Sequence, residues 1–364
     1  MSRSHSNKLV WIHASSYGEF EMSKPIIREL RKGDPDIRFV VSFYSPSGFE
    51  RIELDTEIFC KLYLPLDLRF LHLRFLRLAR PSAFIFMKYD FWFNLLRALK
   101  AEKIPYYFVG LHLEKDSYLF SSFMRPFLKL IASASRLYVH SQNSAGILSE
   151  KGIHKTRLLG DLRILQSIFT AESEELKISW QVDAPCVVYG SVSPLELNTV
   201  IRTIRSLSDY NHILALHDVE NALIDSIKAE LGKCSLLSET QNPDSNILIL
   251  DGYGKLKFVY KNAALAYVGG GFEKGPHNIL EPMIFDVPVF IGPNTRKFPF
   301  AQEAASKGVI HILEKLEDMP EFTRSVLSSD DQLNTDRIKE YITDYKPDMQ
   351  ELIEELSLNL QHVG

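Results

Sequence analysis

Short runs of consecutive apolar residues recur along this chain, and between them apolar positions return every three or four residues. Runs that are hydrophobic on both faces read as buried parallel strands. In the first half they fall at residues 9–13, 38–43, 83–87, 106–110 and 137–140. In the second half they fall at 186–190, 212–216, 247–250, 264–268, 287–291 and 309–312. Helical periodicity fills the gaps at 19–32, 91–102, 122–133, 144–151, 194–207, 219–231 and 279–285. The first of these helices places Phe20, Ile26, Ile27 and Leu30 on one face and acidic residues in its first turn. Strands alternating with helices predict right-handed crossovers and parallel sheets. The alternation pauses between residues 157 and 185, around an acidic stretch at 171–176, and then restarts. This pattern predicts two α/β domains, residues 1–165 and 166–364. After residue 312 the chain turns helical and acidic, ending in a helix at 349–360 that could cross back to the first domain.

The length of 364 residues suits two domains, and 45% hydrophobic with 24% charged residues is ordinary globular composition. That excludes a disordered chain, a collagen and a coiled coil. The three cysteines, Cys60, Cys186 and Cys234, are widely spaced and form neither a disulfide framework nor a zinc site. No apolar run approaches the roughly 18 residues of a membrane-spanning helix, and the polar start 1–7 is no signal peptide. The net charge of -4 hides an asymmetry: residues 1–165 carry +9 and the remainder -13. Opposite signs suggest different partners for the two halves, with an anionic membrane, a nucleic acid or an acidic substrate open for the basic one.

In open parallel sheets, ligands bind beyond the carboxyl ends of the strands, so the informative residues should follow strands directly. The first strand runs into His13-Ala14-Ser15-Ser16-Tyr17-Gly18-Glu19. Small residues permit a tight strand-to-helix turn, with Gly18 free to take positive φ. Glu19 is either a general base at the mouth of a cleft or an acidic first-turn residue complementing the helix dipole. By itself this segment favours the second role. A second segment, Gly269-Gly270-Gly271 through Pro276-His277-Asn278-Ile279-Leu280-Glu281, predicts a glycine loop opening a helix. Exposed amides and a helix N-terminus there suit a phosphate. Asn278 reads as an N-cap, and Glu281 as its capping-box partner or a ribose contact. Ser191 after the strand 186–190, and Gly292-Pro293-Asn294, add further strand ends on the same edge. The Walker loop, the dinucleotide fingerprint, the serine-hydrolase elbow and paired metal ligands are all missing, so no metal is expected. Residues 68–80 combine Arg69, Arg74, Arg77 and Arg80 with Leu and Phe, which fits either a crossover helix or an interfacial one, the former weighing more.

Taken in order, these segments resemble the Kdo transferase family, which transfers 3-deoxy-D-manno-octulosonic acid (Kdo) from CMP-Kdo to lipid A precursors. The resemblance rests on His13 to Glu19, Ser45 to Glu50, Lys88-Tyr89-Asp90-Phe91-Trp92-Phe93-Asn94, Gly160 to Arg163, Gly190-Ser191, Gly269 to Gly271, His277 to Pro282, and Gly292 to Asn294. It implies a GT-B fold, two Rossmann-like domains with parallel sheets facing across a cleft. It implies inverting, metal-independent transfer without a cofactor, and it turns the weighting of Glu19 toward the catalytic base. Ser191, Gly270, Gly271, His277, Asn278 and Glu281 would hold CMP-Kdo. Ser16, Gly18, Lys88 and Asp90 would line the acceptor side. The implied partners are CMP-Kdo, a lipid A precursor and an anionic membrane surface at the cytoplasmic face of the bacterial inner membrane, with no nucleic acid.

Several positions depart from the family pattern. Leu216 stands where the family has an arginine before the histidine, here His217. Asp90 replaces a glutamate, Phe93 a proline, Val192 a threonine, and Lys88 an acidic residue found in many members. The family opens with an apolar anchor, whereas His13 follows a short polar start. The expectations are an anchor removed, a start misassigned, or membrane binding through the basic surface by a soluble or peripheral protein. Two alternatives follow from the departures: a GT-B enzyme using another nucleotide sugar, or an inactive nucleotide-binding homologue.

Overall fold

A computed structural model describes residues 8–52, 58–88, 90–172, 176–328 and 335–361. The polar start, Tyr89 of the aromatic motif and the centre of the acidic stretch after Ala171 lie outside the described residues. The chain folds as two compact units: residues 1–166 with 345–364, and residues 167–344.

The first unit is built on seven parallel strands: β1 (Leu9–His13), β2 (Arg38–Phe43), β3 (Ile58–Tyr63), β4 (Ala83–Met87), β5 (Tyr106–Leu111), β6 (Arg136–Val139) and β7 (Thr156–Leu158). Their spatial order is β3-β2-β1-β4-β5-β6-β7. β1 and β4 are buried at every position because helices cover both faces of the sheet. Two strands the periodicity does not reveal, β3 and β7, are the sheet edges. Apart from the buried Ile58, their residues are half-exposed or exposed, so they lack the continuous apolar run of a central strand. The helix Tyr17–Gly33 buries Phe20, Ile26, Ile27 and Leu30 as its spacing predicts. The helices Arg69–Ala79 and Phe93–Ala101 are stapled by Asp67. Its carboxylate accepts from the backbone N–H of Asn94 and Leu95 at 3.1 Å and pairs with the buried His72 at 3.0 Å. Those amides are first-turn donors with no partner inside their own helix.

The end of the chain joins this unit. Asp161 N–H donates to the Tyr345 carbonyl at 2.9 Å, and Asp348 N–H to the Leu159 carbonyl at 3.2 Å. Along the helix Gln350–Gln361, Glu355 accepts from the Tyr138 hydroxyl at 2.7 Å and pairs with Arg136, while Glu351 pairs with Arg157. The closing residues thus group with the first unit rather than with residues 167–344, and their acids temper its positive charge.

The second unit repeats the plan with β8 (Cys186–Val192), β9 (Asn211–Leu216), β10 (Ser235–Leu236), β11 (Ile247–Leu250), β12 (Leu265–Val268), β13 (Val289–Ile291) and β14 (His311–Ile312). The order is β10-β11-β9-β8-β12-β13-β14. Its core includes Tyr189, Tyr267, Phe290 and Met319, all buried. The two-residue edge strand β10 is too short to show in a pattern of apolar positions. No helix among the described residues is long and apolar enough to cross a membrane.

Candidate functional site

In each sheet the strand order reverses beside the first strand, between β1 and β4 in one and between β8 and β12 in the other. At such a switch point the crossovers leave in opposite directions and open a crevice beyond the strand ends. The motif residues of both units gather at these two crevices.

In the first unit the crevice lies beyond β1 and β4, whose register pairs His13 with Phe86. His13 is fully buried, and its Nε2 lies 2.7 Å from the Asp90 carboxylate. On its other side Nδ1 lies 2.9 Å from the Ser42 hydroxyl and 3.1 Å from the Ser42 carbonyl, and that hydroxyl accepts from Trp11 Nε1–H at 2.9 Å. The Trp92 indole N–H lies 3.1 Å from His13 Nε2 and also bonds Asp90. The Ser15 hydroxyl donates to the same Asp90 oxygen. Burial would raise the Asp90 carboxyl, but these donors outweigh it and hold it below the ordinary carboxylate range. Asp90 is therefore a fixed anion, oriented by a chain that starts in the core.

Ser16 caps the helix Tyr17–Gly33, its Oγ accepting from Glu19 N–H at 3.4 Å. Glu19 Oε2 accepts from Ser15 N–H at 2.6 Å. The capping role and the crevice position belong to the same side chain. Burial pushes the Glu19 carboxyl up; the Ser15 N–H and the nearby Lys88 work against that, Asp90 reinforces it, and His13 opposes it. A carboxylate raised in this way suits a general base. Gly18 sits in right-handed helical backbone with open space around it, because it is the second residue of the helix. The left-handed residue of this crevice is Lys88 instead, at φ 57°. Asp161, nearly fully buried, pairs with His140 and with Arg163 through a 2.6 Å bond. Burial would raise its carboxyl, but those cationic and hydrogen-bonding partners hold it far below the ordinary range. His13, Trp92, Asp161 and Arg163 belong to the site although only their motifs stand out in the sequence. Nothing in the spacing shows that His13 and Asp90 meet.

In the second unit the crevice lies beyond β8 and β12. Ser191 has φ 53°, where the register of β8 against β9 shifts between Tyr189 and Val192. Among the described residues the Ser191 hydroxyl has no partner. Gly270 has φ 89°, and a Cβ there would press on the Gly275 carbonyl at 2.6 Å; at Gly269 it would press on Glu196 Oε2 at 2.8 Å. Glycine is required at both positions. The loop is tied inward. Gly269 N–H donates to the Gly190 carbonyl, Glu273 and Gly275 N–H to the Gly270 carbonyl, and His277 N–H to the Gly269 carbonyl. Gly270 N–H donates to the fully buried Glu196 carboxylate at 2.9 Å. Glu196 also accepts from the Tyr267 hydroxyl at 2.7 Å and Ser193 N–H at 3.0 Å. The amides expected to face a phosphate are largely spent on holding the loop. Glu196 is the residue that sequence reading missed; its signal was Ser193-Pro194-Leu195-Glu196, a capping box directly after a strand.

His277 stacks on His217 with ring centres 4.6 Å apart, and burial together with that neighbour lowers its pKa. The helix expected over 279–285 is only Leu280–Met283, and the chain turns to positive φ at Asp286 just beyond it. Four residues sum little macrodipole. Asn278 makes an Asx turn to Leu280 N–H at 3.2 Å rather than an N-cap box, and its amide donates to Glu281 at 3.1 Å. Burial raises the Glu281 carboxyl, against Asn278 and Lys257. Gly271 offers its carbonyl to Asn294 N–H at 2.9 Å. Among the described residues no His, Cys, Asp and Glu group could hold a metal.

A family profile described as 3-deoxy-D-manno-octulosonic-acid transferase (kdotransferase) matches residues 1–166. A 3-deoxy-D-manno-octulosonic acid transferase from Haemophilus influenzae is 27% identical over 339 residues, covering 88% of this chain and 79% of the relative. By these matches the chain is similar to the Kdo transferase family, over its first 166 residues by the profile and over most of its length by the relative. Its relatives are named as transferases of a sugar acid, and the chain is accordingly a glycosyltransferase. A second relative, a 3-deoxy-D-manno-octulosonic acid transferase from Rickettsia felis, is 26% identical over 82% of this chain, which spans 66% of that relative's length. UDP-GlcNAc 2-epimerase from Neisseria meningitidis matches with a TM-score of 0.63 at 14% identity, covering 96% of this chain and 99% of that one. The architecture is the GT-B fold.

Proposed function

We propose that this chain transfers Kdo from CMP-Kdo to a lipid A precursor in lipopolysaccharide biosynthesis. Glu19 takes the proton from the acceptor hydroxyl as that oxygen attacks the anomeric carbon. Inversion follows, and CMP leaves. One observation carries the reading: the family's base motif and its donor motif occupy the same topological position, the switch point of their own sheet.

The raised Glu19 carboxyl and the fixed Asp90 anion suit a base whose position is held by other groups. In the second unit the Ser191 hydroxyl and the side chains of His277, Asn278 and Glu281 stand around a loop made rigid by Glu196. Set by that rigid loop, the Ser191 hydroxyl and the His277 and Asn278 side chains, rather than the loop's spent amides, hold the leaving phosphate without reorganising. No metal enters the proposal.

The lipid acceptor agrees with the first unit's surface. Phe70 is 66% exposed, Leu78 75% and Phe123 90%. Arg69, Arg74 and Arg80 are exposed beside them and make no ion pair among the described residues. Exposed aromatic and aliphatic residues among arginines fit a peripheral anionic membrane face.

The test is to supply CMP-Kdo and a tetraacylated lipid A precursor and follow CMP release with the mass of the lipid product. A product heavier by Kdo supports the reading. Stabilisation by UDP but not CMP, with no such product, moves the chain to another nucleotide-sugar donor.

A further inference from the structure

Lys88 follows β4 directly, as many residues beyond Phe86 as Ser15 lies beyond its register partner His13. It therefore reaches the switch-point crevice from the strand adjacent to that of Glu19. Its backbone is left-handed, φ 57°, and its N–H is pinned to the Val109 carbonyl at 2.8 Å. A non-glycine residue in that region is strained and persists where the surroundings hold it. The side chain is partly buried, yet its ammonium makes neither a hydrogen bond nor an ion pair among the described residues. Every other charged group of the crevice is committed. Asp90 holds His13 and Ser15, Asp161 holds His140 and Arg163, and Glu19 holds Ser15 N–H.

A partly desolvated cation with no protein partner is less favourable than one on the open surface. The charged groups acting on it are Glu19 on the helix after β1 and Asp161 and Arg163 after β7; the two acids favour its charge, while burial and Arg163 oppose it. An incoming anion would supply the missing partner. Two anions are chemically available to this reaction: the carboxylate of the transferred sugar acid and a phosphate on the acceptor.

We propose that Lys88 is a substrate ligand that receives an anionic oxygen group of carboxylate or phosphate class beside Glu19, and so sets specificity in this chain. This rests on the reading of Glu19 as the base. The family resemblance places an acidic residue at this position in many members, so the ligand is a feature of this chain's own sequence.

Calorimetric titration of the full chain separates the sources, with free Kdo in one arm and inorganic phosphate in the other. The wild type binds at least one. In Lys88→Met the affinity for that probe falls at least tenfold, and Lys88→Arg restores most of it. The loss identifies the sugar carboxylate if it appears with Kdo and the acceptor phosphate if it appears with phosphate. Thermal melting of both variants checks that the fold is kept, and Lys88→Gln serves if Lys88→Met does not fold. Equal binding by wild type and Lys88→Met, or no binding of either probe by the wild type, overturns the proposal. Anion binding that depends on Lys88 in a chain that fails to transfer Kdo sinks the transferase reading and leaves this one standing.

Discussion

His13 Nε2 lies 2.7 Å from Asp90 Oδ2, joining the end of the first strand to the loop after the fourth across 77 residues of sequence. The Asp90 carboxylate also takes the Ser15 hydroxyl, and Ser15 N–H holds Glu19. Glu19, the proposed base, is thus positioned through three residues. Replacing His13 with Asn breaks the first link without touching Glu19. We expect kcat to fall about 100-fold, the effect of misplacing a catalytic group by roughly 1 Å. The KM for the donor should stay within about twofold by the same reasoning. Steady-state kinetics with both substrates varied checks this.

Glu196 supports the glycine loop from below. Alanine there strands the Tyr267 hydroxyl and the N–H groups of Gly270 and Ser193 in a buried place. Losing one partner of such a network costs about 3 kcal/mol. For a unit of this size that lowers the melting temperature by roughly 6–12 °C. Calorimetry should show the loss in the second unit's transition, and nucleotide affinity should fall with it.

With Glu19 as the proposed base, its ionisation sets the pH dependence of turnover. Burial raises its carboxyl, so the ionised base is lost at a higher pH than for an ordinary glutamate. The acid limb of the pH–rate profile therefore lies above the usual glutamate value. Asp90 contributes to that rise, so Asp90→Asn moves the limb to lower pH even as it slows the reaction. A limb that moves upward in Asp90→Asn contradicts the assigned electrostatics.

The exposed face around the helix Arg69–Ala79 should dock on anionic lipid. Phe70→Ser with Leu78→Ser removes apolar area from positions that are largely open to solvent. Co-sedimentation with vesicles containing phosphatidylglycerol should drop at least fivefold, while melting is unchanged and turnover on a detergent-dispersed acceptor survives. Equal sedimentation of variant and wild type removes this face from the account.

Much of the fold is legible in the sequence because central parallel strands are apolar on both faces. The edges β3, β7 and β10 are not, since an edge strand mixes exposed and buried positions or is too short to show a period. Near the site, the strand ends are legible and the side-chain pairings are not. His13 and Asp90 are brought together by the β1–β4 register, which no local pattern encodes. The positive φ expected at Gly18 falls at Lys88, because Gly18 is already inside the helix capped by Ser16. The amide cradle expected at Gly270 is occupied by Glu196, whose carboxylate arrives from a capping box one strand away.

The measurement closest to the central claim is transfer by Glu19→Gln. Glutamine keeps the size and can still accept from Ser15 N–H, so the turn and the helix cap survive. With CMP-Kdo and the lipid A precursor, turnover should fall at least about 100-fold, the usual contribution of a general base, while CMP affinity and melting temperature match the wild type. Turnover by Glu19→Gln within about threefold of wild type would contradict the assignment of Glu19 as the base.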